Sequence, residues 1–160
     1  MTAPAISASS RYIPEGTTQY YFVTTIASIS APTRVELDAG TDLTPEIADA
    51  GDWMITSNAV DTPDLKSLFT SQIPGKITMG TTTLNMYADD ASSDARSLMP
   101  RGTVGFVVKF PEGDVSGHKM DVFPVKVGSV GKPTAMGSPS TVDFSFYVTA
   151  EPAEDVTVPA

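Results

Sequence analysis

The 160-residue chain has no cysteine, a single histidine, and only ten Lys and Arg against nineteen Asp and Glu, a formal charge of −9. Without cysteine there is no disulfide framework, no zinc–thiolate site and no thiol nucleophile. One histidine, His118, leaves little for imidazole metal ligation or for a nucleophile–base pair. The shortage of bases argues against reading nucleic acid with a basic patch, because affinity for a phosphate backbone rests on Lys and Arg displacing counterions. Long apolar runs are missing too. No stretch approaches the ~20 residues that span a bilayer, and the start, MTAPAISASS, has neither the basic nor the apolar part of a signal peptide. A soluble chain with no membrane partner is expected. None of the GxSxG, GxxxxGK[ST] or GxGxxG signatures occurs.

What the chain does have is strand and turn chemistry: twenty threonines, thirteen prolines and twelve glycines. Val142, Phe144, Phe146 and Val148 alternate with polar residues, a period of two that places one apolar row on one face of a strand. Residues 103–110 form a second strand, with Val104, Phe106, Val108 and Phe110 on one face and Gly105, Val107 and only Lys109 charged on the other, which predicts burial on both sides for part of its length. A third runs over 119–130, where Pro124 cannot donate to a ladder and so marks an edge, a bulge or a break. Residues 19–30 are apolar on both faces, and 33–38 read as a short strand. The phase change within 77–87 predicts a hairpin turning near Gly80–Thr82.

One helix is signalled over 90–99, with Asp90 as its cap, Ala91, Ala95, Leu98 and Met99 on one face, and Pro100 as its stop. Weaker helical turns are marked at Thr44-Pro45-Glu46 and Thr62-Pro63-Asp64. Residues 1–10 and 151–160 read as flexible tails around a single β domain over 11–150. The fold class is mainly β, a sandwich or barrel with one flanking helix.

The unusual feature is a block holding Glu36, Asp38, Asp42, Glu46, Asp49, Asp52, Asp61 and Asp64 with no Lys or Arg. Two of these at a fixed separation would suit a hydrolase; a solvated acidic surface is the plainer reading. Asp89, Asp90 and Asp94 suggest a calcium loop, but the glycine and final Glu of that pattern are missing and helix capping accounts for them. Trp53 suits a ligand-stacking ring or, more simply, a core anchor. His118 follows Gly117 in a turn-like run and is expected in an exposed loop. No catalytic, cofactor or metal residues emerge.

Taken in order, RVELDAGTDLTPEIADAGDW (34–53), SNAVDTPDL (57–65), SQIPGKIT (71–78), LNMYADDASSDARSLMPRGTVGFVV (84–108) and MDVFPVKVGSV (120–130) resemble the major tail tube proteins of long-tailed, siphovirus-like bacteriophages, especially those infecting actinobacteria. The resemblance spans about residues 12–150 and lies in the order and spacing of the pieces. It implies a non-enzymatic virion protein without cofactors, assembled in the host cytoplasm into stacked hexameric rings. Each subunit would lend strands to a barrel around the lumen, with loops and the N-terminal segment bridging to the next ring. Implied partners are further copies of itself, the tape measure protein, the tail terminator and the baseplate or distal tail proteins, with duplex DNA passing through at ejection. An acidic lumen would keep that DNA from adhering, and the eight carboxylates of 36–64 are its candidates. The inner tube of a contractile or secretion-like particle shares the fold. A monomeric β-sandwich binding module is the alternative outside it.

Overall fold

The computed structural model describes residues 3–160; Met1 and Thr2, the start of the expected N-terminal segment, lie outside them. Residues 3–13 carry no helix or strand and are exposed. The strands that follow are β1 (Gln19–Val23), β2 (Thr41–Asp42), β3 (Ile47–Asp49), β4 (Ile55–Thr62), β5 (Ser71–Met79), β6 (Thr82–Tyr87), β7 (Val104–Phe110), β8 (Lys119–Gly131), β9 (Thr141–Val148) and β10 (Ala153–Thr157). Two short helices, α1 (Arg34–Asp38) and α2 (Ala95–Leu98), and a 3₁₀ turn at Thr44–Glu46 complete the fold.

The main sheet runs β2-β1-β7-β8-β9-β6-β3, with β10 also paired to β8. Its two end strands, β2 and β3, are joined through the 3₁₀ turn, so the sheet must curl until its ends meet. Leu43 plugs that seam: its side chain is buried and its N–H donates to the carbonyl of Tyr20 at 2.8 Å. The molecule is therefore a half-barrel of mainly antiparallel strands, with few helices.

The alternation read from sequence sorts the side chains onto two faces. Tyr20 and Phe22 from β1, Val107 from β7, Phe123, Val125 and Val127 from β8, and Phe144 and Phe146 from β9 fill the concave side. Trp53 is there as a core anchor, its ring 4.9 Å from Phe123 and 5.8 Å from Phe146, its Nε1 donating to the Ala50 carbonyl. Val23, Val108, Phe110, Met120 and Val122 point the other way into a second cluster, closed by Leu37 of α1 and Val158. Strand β7 is buried on both faces for part of its length, as expected, with Val104 at its start exposed, and Gly105 lies against the Phe22 ring where a Cβ would come within 2.5 Å.

Four expectations are corrected. Residues 33–38 form α1 rather than a strand, because Thr33 and Glu36 make a reciprocal capping box. The helix expected over 90–99 is reduced to 95–98 with Asp94 as its cap. Before it, Asp89 accepts from the N–H groups of Ala91 and Ser93, and Ser92 sits at φ +61°, so side-chain bonding and a left-handed residue outcompete the helix. No hairpin turns at Gly80: β5 pairs with β4 while β6 pairs with β9 and β3, and the phase changes because the chain passes from one sheet to another. Residues 151–160, expected as a tail, instead hold β10, and Val158 is buried.

Pro124 marks a change of partner. Towards β7 the ladder of β8 is continuous, while on the other side β9 ends at Val148 opposite Val125 and β10 begins pairing at Val122. The Pro124 carbonyl accepts from Thr149 N–H at this junction, the point where β8 lacks a ladder partner and a missing donor costs nothing.

Candidate functional site

The concave places on the described surface hold carboxylates, such as Asp42, Glu46 and Asp94 beside α2, and the candidate site is surface that has no partner within the described residues. Strands β4 and β5 pair only with each other, from Ile55↔Met79 to Thr62↔Ser71, and almost every residue of both is exposed. A two-stranded ribbon alone in water is marginal. This one also has two long unpaired edges and a cross-strand apolar pair, Val60↔Ile73, open to solvent. Gly75 holds its geometry: beside the bulge between Ser57 and Ala59, a Cβ there would strike Val60 Cγ2 at 2.6 Å and Asn58 O at 2.7 Å.

The ribbon's tip is more apolar than its shaft. Leu65 and Leu68 are fully exposed and Phe69 is 78% exposed. Asp64 shapes the turn by accepting from the N–H groups of Lys66 and Ser67, a turn where a helix start was expected. These residues escaped sequence reading because Leu65, Leu68 and Phe69 match neither a strand nor a helix period. The usable signal was three large apolar residues between two turn-rich strands with nothing in phase to bury them.

The eight candidate carboxylates do not form one patch. Glu36 serves α1: its carboxylate accepts from Ala27 N–H and Thr33 N–H, both at 2.7 Å, and these bonds lower its pKa. Asp38 pairs with Arg34 at 2.6 Å. Arg34 also grips Asp114 through two bonds of 2.6 and 2.7 Å, and with the Tyr21 hydroxyl this fastens α1 to the β7–β8 loop. Those bonds, the guanidinium's first, hold Asp114 below the ordinary carboxylate range, while burial and Asp114 push Tyr21 up to about 12. Asp42 and Glu46 come together at the seam of the half-barrel. Asp49 is on β3, Asp52 in the following loop, Asp61 on the ribbon beside Gln72, and Asp64 at its tip.

Around α2, the Asp94 carboxylate is occupied by Arg96 and by two backbone N–H groups, which holds its pKa well below the usual range. Asp89 and Asp94 are thus committed to the turn and the helix cap, and the cap is Asp94 rather than the expected Asp90. His118 lies exposed in the loop just before β8, its Nδ1 3.2 Å from the Glu112 carbonyl oxygen. Between α2 and the seam lies a groove of about 270 Å³, floored by Leu43, Met86 and Leu98 and rimmed by Asp42 and Glu46. Among the described residues, no helix is long and apolar enough to cross a membrane.

Comparison with known proteins places this architecture. No curated protein matches the sequence. The fold is similar to a chain of the anti-feeding prophage (AFP) baseplate, solved by cryo-electron microscopy with six-fold symmetrisation. The TM-score is 0.57 at 11% identity, over 96% of this chain and 98% of that one. The sequence model of phage tail tube proteins matches residues 7–160. A half-barrel with an unpartnered ribbon is, by that match, a phage tail component: the chain belongs to the phage tail tube protein family.

Proposed function

We infer that the chain polymerises as stacked hexameric rings into the hollow tube of a phage tail, through which DNA passes at ejection. The observation that carries this is its surplus of surface. The chain exposes 10511 Å² for 16.8 kDa, where a compact monomer of that mass exposes roughly 7,600 Å². The difference, on the order of 2,900 Å², comes from the exposed segment 3–13 as well as from the ribbon, and it exceeds the ~800 Å² that one partner buries in a standard interface. A subunit with neighbours beside, above and below it has several such interfaces to fill. Six-fold order is supported by the fold likeness to a chain of a six-fold symmetrised assembly.

Within the tube, a wall of net negative charge repels duplex DNA, which carries one charge per ~1.7 Å of axis, and keeps it moving. Glu36 and Asp64 are bonded to backbone N–H groups and Asp38 to Arg34, so Asp49 and Asp52, with Asp61 held only by the Gln72 amide, are the members of the block best placed to serve as lumen charges. Tape measure, terminator and baseplate proteins would meet the tube at its lumen and two ends, after assembly in the host cytoplasm. Electron microscopy of the purified chain tests the reading: stacked rings with a pore wide enough for duplex DNA are expected, and a monomer at high concentration would overturn it. The inner tube of a contractile particle is the second reading, resting on the AFP likeness; a sheath around the tube in micrographs of the source particle selects it.

A further inference from the structure

We propose that the ribbon tip, Leu65 to Phe69, seats in the acid-rimmed groove beside α2 of a second copy of the chain. The proposal rests on the self-assembly reading and names the two surfaces that meet. The tip carries three large apolar side chains and one base, Lys66, which has no ion-pair partner among the described residues. Its complement is the groove of about 270 Å³, with an apolar floor of Leu43, Met86 and Leu98 and carboxylates of Asp42 and Glu46 at the rim. Apolar tip meets apolar floor, and the lone cation meets two anions.

The tip does not occupy the groove of its own chain, since residues 63–70 are all exposed. The ribbon's root also lies away from it: Met79 leads into Thr82 at the start of β6, whereas Met86 in the groove is near that strand's far end. Donor and receptor are thus different patches, which makes the contact heterologous. Such contacts propagate into rings or stacks and do not stop at a dimer. The groove also accounts for two acids of the 36–64 block, Asp42 and Glu46, as receptor charges.

The absence of native cysteine makes the test free of background. Leu68→Cys and Ser97→Cys, both at exposed positions, are introduced into one chain, which is assembled and then oxidised. A ladder of disulfide-linked multimers is expected from the double variant and not from either single one. Assembly without linkage, or linkage with Leu68→Cys alone, overturns the tip–groove contact while leaving self-assembly standing. Failure of the unsubstituted chain to assemble overturns both. As an independent measure, Lys66→Glu is expected to raise the concentration needed for assembly about tenfold, and adding Glu46→Lys to restore it. Lack of rescue in a variant that melts like the parent counts against the contact.

Discussion

At the scale of residues, the fold hangs on a few side chains that join distant parts of the chain. Arg34 is the clearest, since its two bonds to Asp114 tie α1 to a loop eighty residues away. The Asp114 side chain is only 9% exposed, so Arg34→Ala leaves a nearly buried carboxylate short of its cation. The expected loss is about 2 kcal/mol in urea denaturation at neutral pH. Its pH dependence follows from linkage. The folded-state pKa of Asp114 is depressed, so its contribution is present above the unfolded value of ~3.9 and is lost as pH falls through the folded one. The gap between parent and variant should therefore narrow below about pH 4; a gap that widens on acidification would show that Arg34 acts through something else. Gly105→Ala tests the packing of β7. The added Cβ meets the Phe22 ring at 2.5 Å, and a cost of roughly 1–3 kcal/mol is expected, readable as a lowered melting temperature.

At the scale of elements, what was legible in the sequence is what tertiary packing and local pattern both demanded. Strands β7, β8 and β9 announce themselves because they are central: β9 alternates one buried apolar row with a polar one, and β7 and β8 are apolar on both faces for much of their length. Pro124 was legible as an interruption, although only the pairing shows that the interruption is an exchange of β9 for β10. Helix α1 was missed because Val35 and Leu37 alternate with charges as a strand would, while the Thr33–Glu36 capping box, equally visible, decides the matter. Strand β10 was missed because Glu154 and Asp155 make it look solvated; its burial comes down to Ala153, Val156 and Val158 against β8. The ribbon was hardest, since nothing in the isolated chain buries it. That gives a direct expectation. Replacing Leu65, Leu68 and Phe69 together by Ser should leave the melting temperature of the isolated chain within about a degree, because exposed side chains contribute little to its fold. Sedimentation should show assembly lost in the same variant. A large fall in melting temperature would mean that the tip is part of the monomer's own structure.

At the scale of the whole molecule, the −9 charge must be reconciled with a chain that packs against copies of itself. Like charges spread evenly would oppose association. The acids are not spread evenly in function: some are paired or capping, as with Asp94, Asp114 and Glu36, and others rim a groove that suits a cation. Those left over are free to face a lumen. If Asp49, Asp52 and Asp61 do so, substituting all three by Lys turns local repulsion into attraction for each passing phosphate. Particles carrying the triple variant should still assemble and should release DNA more slowly, as followed by a dye that reports freed duplex after triggered ejection. The delay should shrink steeply as salt is raised, because it comes from counterion-releasing contacts. The corresponding Asn variant, which removes charge without reversing it, should fall between the Lys variant and the parent. Equal release rates for all three at low salt would mean that these acids do not line the channel, and the excess charge would then belong to the outer surface, where it serves solubility.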